Sequence, residues 1–298
     1  MASGTLAVGI FFLFQTVLGM LGNSALICCF IITDFTGIRA KPIDLIVKHL
    51  SFANIMVILC KGIPQTMTAF GQTYFLDDIS CKLLFYLHRV ARGVSLGSTS
   101  LLSIFQAITI SPFNSKWVWL KFRAPKFIGP SLGLCWSLSL LVNSFVIMTV
   151  TDMRDKGNLT EFRQFVYCLV VKLSKESYVI YLTLLFSTDF ICLGLMMWAS
   201  ASVVFILYKH RQKVQHIHSS PSTKSFSEIK ATRRILSLVY SFVILYGTSV
   251  TLLIYFSFQD ETDTGLVNAN VAMSACFPAL CPFLLISHCI KSFQSLST

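Results

Sequence analysis

Four stretches of this chain carry no aspartate, glutamate, lysine or arginine over lengths that match a lipid bilayer: 1–33, 127–151, 235–259 and 264–290. A hydrocarbon core of about 30 Å needs around 20 apolar residues per helical crossing. A fifth stretch, 178–208, carries Asp189 alone, and two more, 43–70 and 79–110, hold a few charges in otherwise apolar sequence. No other feature constrains the fold as strongly. Lipid offers no water to satisfy backbone groups, so segments of this length cross as helices. The expected fold is all-α, a single seven-transmembrane-helix bundle spanning residues 1–298, with helices at about 6–32, 43–70, 79–110, 127–150, 178–208, 231–258 and 265–290.

The composition agrees, with 54% hydrophobic and only 12% charged residues, where a soluble domain carries about a quarter charged. A net charge of +11 could suggest a nucleic-acid partner, but its distribution points to membrane lipid instead. Loops alternate sides across seven crossings. Lys and Arg number 14 on the side holding the loops after segments one, three and five and the tail, against 6 on the other. The positive-inside rule then places the N-terminus outside and the C-terminus in the cytoplasm of a multi-pass plasma-membrane protein. The first segment lacks a basic n-region and exceeds the length of a signal-peptide core, so a retained helix is expected. It begins near residue 1, so any ligand site is expected among helices and loops.

Two external features support this orientation. Of ten cysteines, only Cys81 and Cys168 fall on the outer side, where disulfides persist. A Cys81–Cys168 bridge would fold the loop 151–177 over the mouth of the bundle. The other cysteines lie in or beside apolar segments, where a reduced thiol is ordinary packing. The sequon Asn158-Leu159-Thr160 lies in the same loop, as a glycan requires. His210, His216 and His218 lie on a basic cytoplasmic connection that reads as a solvated face rather than a metal site. No metal and no cofactor is expected.

Gly22-Asn23, Trp136 and the external bridge resemble the rhodopsin-like G-protein-coupled receptors. Seven ordered motifs are similar to one subfamily, the vomeronasal type-1 (pheromone) receptors: "HLSFAN" (49–54), "KGIPQTM" (61–67), "RVARGVS" (89–95), "SIFQAITISP" (103–112), "YKHRQKVQHIHS" (208–219), "IKATRRIL" (229–236) and "FPALCPFLLI" (277–286). They cover essentially the whole chain. The wider superfamily's signatures are altered as in that group. Phe105-Gln106-Ala107 replaces acid-Arg-Tyr, Cys281-Pro282-Phe283-Leu284-Leu285 stands in the seventh segment, the sixth has no proline, and Asn54 takes the place of a sodium-binding aspartate. Sodium modulation and an arginine coupling latch are therefore not expected. The resemblance implies a chemosensory receptor, not an enzyme, that activates an inhibitory-class heterotrimeric G protein. Gln106 and the basic residues Lys209, Arg211, Lys213, Arg233 and Arg234 form the expected contact surface, although any one of these basic residues could simply obey the positive-inside rule.

The third segment poses a separate question, because "LHRVARGVSLG" (87–97) puts His88, Arg89 and Arg92 inside apolar sequence. At about 1.5 Å per residue, Arg89 and Arg92 lie roughly 12 and 16 Å below Cys81. Residues three apart share a helix face. Each arginine near mid-membrane costs about 2.5–3.5 kcal/mol, so both should face the interior and find partners. Asp189, at similar depth, is the expected ion-pair partner of Arg92; Glu176 could meet Arg89 or His88 at the rim. Lys61 lies near the level of Arg89, and with Arg89, Arg92 and Asp189 gives a net +2. That excess favours a small organic, anionic or acceptor-rich ligand with an apolar body. The competing expectation is that Arg89 and Lys61 snorkel and Arg92 is structural.

Readings from other classes are weaker. Gly93-Val-Ser95-Leu-Gly97 matches G-x-S-x-G, but a nucleophile elbow needs a strand-to-helix turn, and small residues in a membrane helix usually permit close packing. The last helix has no lysine for retinal. A transporter of small organic anions is the main alternative, although no matched pair of broken helices supports it. Glycosidase treatment of the expressed protein should shift its mobility, and Asn158→Gln should abolish the shift; an unmodified Asn158 would count against the orientation.

Overall fold

The computed structural model describes residues 3–36, 42–72, 75–111, 118–151, 162–164, 167–171, 175–216, 236–237, 239–252, 255 and 264–294. Its helices are α1 (Ser3–Phe35), α2 (Pro42–Val57), α3 (Ile63–Ala69), α4 (Asp78–Ile110), α5 (Val118–Asn143), α6 (Val146–Thr149), α7 (Lys175–His216) and α9 (Thr264–Gln294), with α8 (Val239–Leu252) between the last two. Among the described residues six helices are long and apolar enough to cross a membrane, α2 and α3 joining into one of them, and α8 is a shorter apolar helix at the expected sixth position. Large apolar side chains on the outer faces, such as Phe14 at 66% exposure, Leu141 at 71% and Phe190 at 66%, are the surface that lipid would cover.

The helix ends depart from a charge-based reading for physical reasons. α5 begins at Val118, ahead of Lys121, Arg123 and Lys126, because these residues are good helix formers and charge at an interface does not end a helix. α7 runs from Lys175 to His216 for the same reason. Between α2 and α3 the ladder widens into a single π-turn, Ile58–Gly62. Pro64 has no N–H and its ring crowds the carbonyl four residues earlier, which accounts for the widened turn just before it. α4 starts cleanly: Asp77 accepts a hydrogen bond from the Ser80 N–H at 3.3 Å, a side-chain N-cap.

The loop after α6 adds a feature outside an all-helical plan. β1 (Val150–Thr151), β2 (Phe162–Gln164) and β3 (Leu169–Val171) form an antiparallel sheet in the order β1-β3-β2. Val150 pairs with Val170 and Gln164 with Leu169. Cys168, beside β3, is bonded to Cys81 in the first turns of α4, with Cα atoms 6.0 Å apart. Both cysteines are fully buried. Asn158 lies outside the described residues. Cys29, read from sequence as a reduced packing thiol, is instead disulfide-bonded.

α4 is the hub, packed by α2, α5 and α7, while α1 packs on α2, α3 and α9. Two devices seat it. A β-carbon at Gly93 would sit 2.7 Å from Ser139 Oγ and one at Gly97 2.8 Å from Cys135 Sγ, so the Gly-Val-Ser-Leu-Gly run is the close-packing face against α5. Ser95 lies on no elbow; its hydroxyl donates to Asn54 Oδ1 at 2.9 Å. Asn54 in turn donates to Asn23 Oδ1 at 3.4 Å, and Asn23 Nδ2 reaches the Pro278 carbonyl at 2.8 Å. This chain ties α1, α2, α4 and α9 together without a charged residue.

The packing face makes a contrast that can be measured. Gly97→Val should destabilise the purified protein by about 1–3 kcal/mol through overpacking. Gly129→Ala, whose β-carbon meets nothing within 4 Å, should leave the unfolding temperature unchanged or higher. Equal effects at both positions would contradict the packing.

Candidate functional site

The α4 face defined by Arg89, Arg92 and Gly93 looks onto a cavity of about 30 Å³. α5 supplies Leu138, Ser139, Val142 and Asn143, α7 supplies Leu185, Thr188 and Asp189, and α8 supplies Tyr246. The placement follows from sequence. Val90, Ala91 and Val94 are buried against neighbouring helices, and helical spacing turns Arg89 and Arg92 together onto one adjacent face. Gly93 lets α5 come near enough for Ser139 to join the wall.

The polar groups in this cavity are incompletely partnered. Arg89 Nη1 and Arg92 Nη2 are buried without a hydrogen-bond partner, and so is Asn143 Oδ1. Asn143 Nδ2 is used, donating to the Ser139 carbonyl at 2.8 Å. The Arg92 guanidinium lies 4.5 Å from the centroid of the Tyr246 ring, a cation–π contact that desolvation strengthens. The expected Arg92–Asp189 ion pair is not formed. Both side chains line the cavity, yet the ion pairs among the described residues are Lys48–Asp34 and Lys82–Asp78. Tyr246 takes the position facing Arg92, and Asp189 also faces Tyr246.

Lys61 approaches from the other side of α4. It sits in the π-turn, and its ammonium donates to Ser274 Oγ of α9 at 2.7 Å. Lys61, His88, Arg89 and Arg92 are near enough to interact electrostatically, and His88 Nε2 is buried without a partner. Beside Lys61, Gln65 donates to Asn268 Oδ1 at 2.8 Å. Above this group the disulfide pins the sheet to α4. Val146, Val150, Phe85, Tyr167 and Tyr181 pack around the two cysteines, with the Phe85 and Tyr167 rings 5.7 Å apart. Burial pushes the Tyr167 phenol well above its ordinary pKa, so it stays neutral across physiological pH.

Other expected site residues lie elsewhere. Glu176 is exposed in the first turn of α7 and is not part of the cavity wall. At the opposite end of α4, half-buried Gln106 adjoins Ala107, which packs with Val203 and Leu207 of α7 and with Leu236. Lys209 is exposed, and Arg211 and Lys213 continue α7. Arg233 and Arg234 lie outside the described residues. Sequence reasoning missed Tyr246, Asn143 and Ser274, because a search for acids overlooks aromatic faces and neutral polar groups as partners for cations. The signal present was the guanidinium group's general affinity for aromatic rings.

A sequence profile described as "Vomeronasal organ pheromone receptor family" matches residues 6–296. The chain is similar to vomeronasal type-1 receptor 4 of Pongo pygmaeus, 46% identical over 288 residues that cover 96% of this chain and 95% of the relative. It is 43% identical to vomeronasal type-1 receptor 1 of Gorilla gorilla gorilla over 287 residues, 96% of this chain and 81% of the relative. Olfactory receptor class A-like protein 1 of Danio rerio is 30% identical over 281 residues, 94% of this chain and 88% of the relative.

The Arg92–Tyr246 contact predicts a graded series. Tyr246→Leu should lower stability by about 2 kcal/mol or more by removing the ring face, whereas Tyr246→Phe should cost much less. Thermal unfolding of the purified variants checks this. Equal losses would show that the hydroxyl, not the ring, matters.

Proposed function

The chain belongs to the vomeronasal organ pheromone receptor family, and from that premise we propose that it binds a small organic acid, or a ligand equally rich in acceptors, beneath the disulfide-pinned sheet. As a multi-pass plasma-membrane receptor of this family it has a role of the G-protein-coupled kind and is not an enzyme. The observation that carries the ligand reading is a pair of arginines that line one cavity, each with a buried guanidinium nitrogen, Arg89 Nη1 and Arg92 Nη2, left without a hydrogen-bond partner. Donors already desolvated and held in place lose little more when an acid arrives, and apolar walls strengthen the attraction.

The bound acid would contact Arg89 first, with Lys61 and His88 on the side towards α9 and Asn143 and Asp189 on the side towards α5 and α7. A cavity of about 30 Å³ admits an acid group but no apolar body, so ligand entry requires α4, α5, α7 and α8 to separate. That separation links binding to signalling. A ligand shifts a population by its differential affinity for two arrangements, and α7 and the segment carrying Leu236 meet the far end of α4 at Ala107. In this reading the N-terminus is extracellular and the C-terminus cytoplasmic. The inner surface that engages an inhibitory-class heterotrimeric G protein then comprises Gln106, Lys209, Arg211, Lys213, Arg233 and Arg234.

Cells co-expressing the receptor and an inhibitory-class G protein should respond to members of a panel of small acids, steroids and steroid sulfates. Arg89→Gln and Lys61→Gln should weaken those responses about a hundredfold or more, the usual scale for removing one member of a buried charge pair. Dose–response curves unchanged by both substitutions would reject the ligand reading.

A further inference from the structure

We propose that the cavity between α4, α5, α7 and α8 is a binding site for a small inorganic anion, chloride, which neutralises Arg89 in the ligand-free receptor; that an incoming acid then displaces it rests on the ligand reading above. Charge around the cavity is unbalanced. A guanidinium cannot shed its proton inside a protein, so Arg89 and Arg92 both remain charged about 12 and 16 Å below the Cys81 end of α4. The cavity lining holds one acid, Asp189, against these two cations. Asp189 pairs with neither, and Arg92 has the Tyr246 ring. Arg89 makes no hydrogen bond or ion pair among the described residues, and its Nη1 is buried.

The shape of the space selects the ligand. A single water needs about 10–15 Å³ of such volume, so about 30 Å³ has room for a monatomic ion and one water. Its wall combines what an anion and a water require. Arg89, Arg92 and Asn143 line it and each keeps a buried polar atom without a hydrogen-bond partner, Nη1, Nη2 and Oδ1, while Leu138, Val142 and Leu185 keep the local dielectric low.

Thermal unfolding of the purified receptor tests this, with chloride replaced stepwise by gluconate, too large for the cavity, at constant ionic strength. Chloride should raise the unfolding temperature saturably, by on the order of 3 °C at ten times its dissociation constant. Bromide should substitute, and Arg89→Gln should abolish the rise. An unfolding temperature indifferent to chloride means that water fills the space and overturns the proposal. A full chloride response in Arg89→Gln does the same. Should Arg89→Gln fail to fold, Asn143→Asp sets a carboxylate on the same wall and must lose the chloride response. The two readings separate cleanly. A chloride effect with acid responses that survive Arg89→Gln sinks the ligand reading alone, whereas acid responses that need Arg89 without any chloride effect sink this one alone.

Discussion

Placing a guanidinium in the middle of a bilayer governs this structure. Arginine stays charged, and each such side chain costs a few kcal/mol unless the protein surrounds it with partners. Arg89 and Arg92 stand together on α4, and the neighbouring helices answer them in different ways. α8 sets the face of Tyr246 against Arg92, while Asp189 of α7 and Asn143 and Ser139 of α5 line the shared cavity without bonding to either arginine among the described residues. The answer is incomplete, since two guanidinium nitrogens are left without partners. A structural core would close such a gap; a receptor that needs to be changed by a ligand has reason to keep it open.

The rest of the bundle holds α4 still while that gap persists. Gly93 and Gly97 bring α5 close, the Ser95–Asn54–Asn23–Pro278 hydrogen bonds fix α2, α1 and α9, and the disulfide at Cys81 anchors the sheet at the end nearest the arginines. The π-turn before Pro64 carries Lys61, whose ammonium reaches α9 at Ser274. Cationic groups therefore meet around one helix from both sides. At the far end of α4 the packed side chains, among them Ala107, Val203 and Leu207, are apolar.

Much of this was legible in the sequence, because charge-free length is a direct statement about lipid. The spans, the Cys81–Cys168 bridge and the shared face of Arg89 and Arg92 all follow from spacing and compartment. Other features were not. The sheet after α6 is short, and its β-branched residues Val150, Thr151, Val170 and Val171 give no clear alternating signal. The π-turn has only Pro64 to announce it. The partner of Arg92 was sought among acids, and at that depth sequence offers Asp189; only the packing of α8 reveals that an aromatic ring occupies the place. Helix ends were misjudged where charge was taken for a boundary, as at Val118, since lysine and arginine continue a helix readily beyond the apolar core.

The most direct measurement is a cryo-electron-microscopy structure of the receptor bound to an activating acid and its G protein. The account predicts density for the acid group within hydrogen-bond distance of Arg89, under the disulfide-linked sheet, with Tyr246 drawn away from α4. An acid group resting outside that sheet, with Arg89 and Arg92 arranged as they are without ligand, would contradict it.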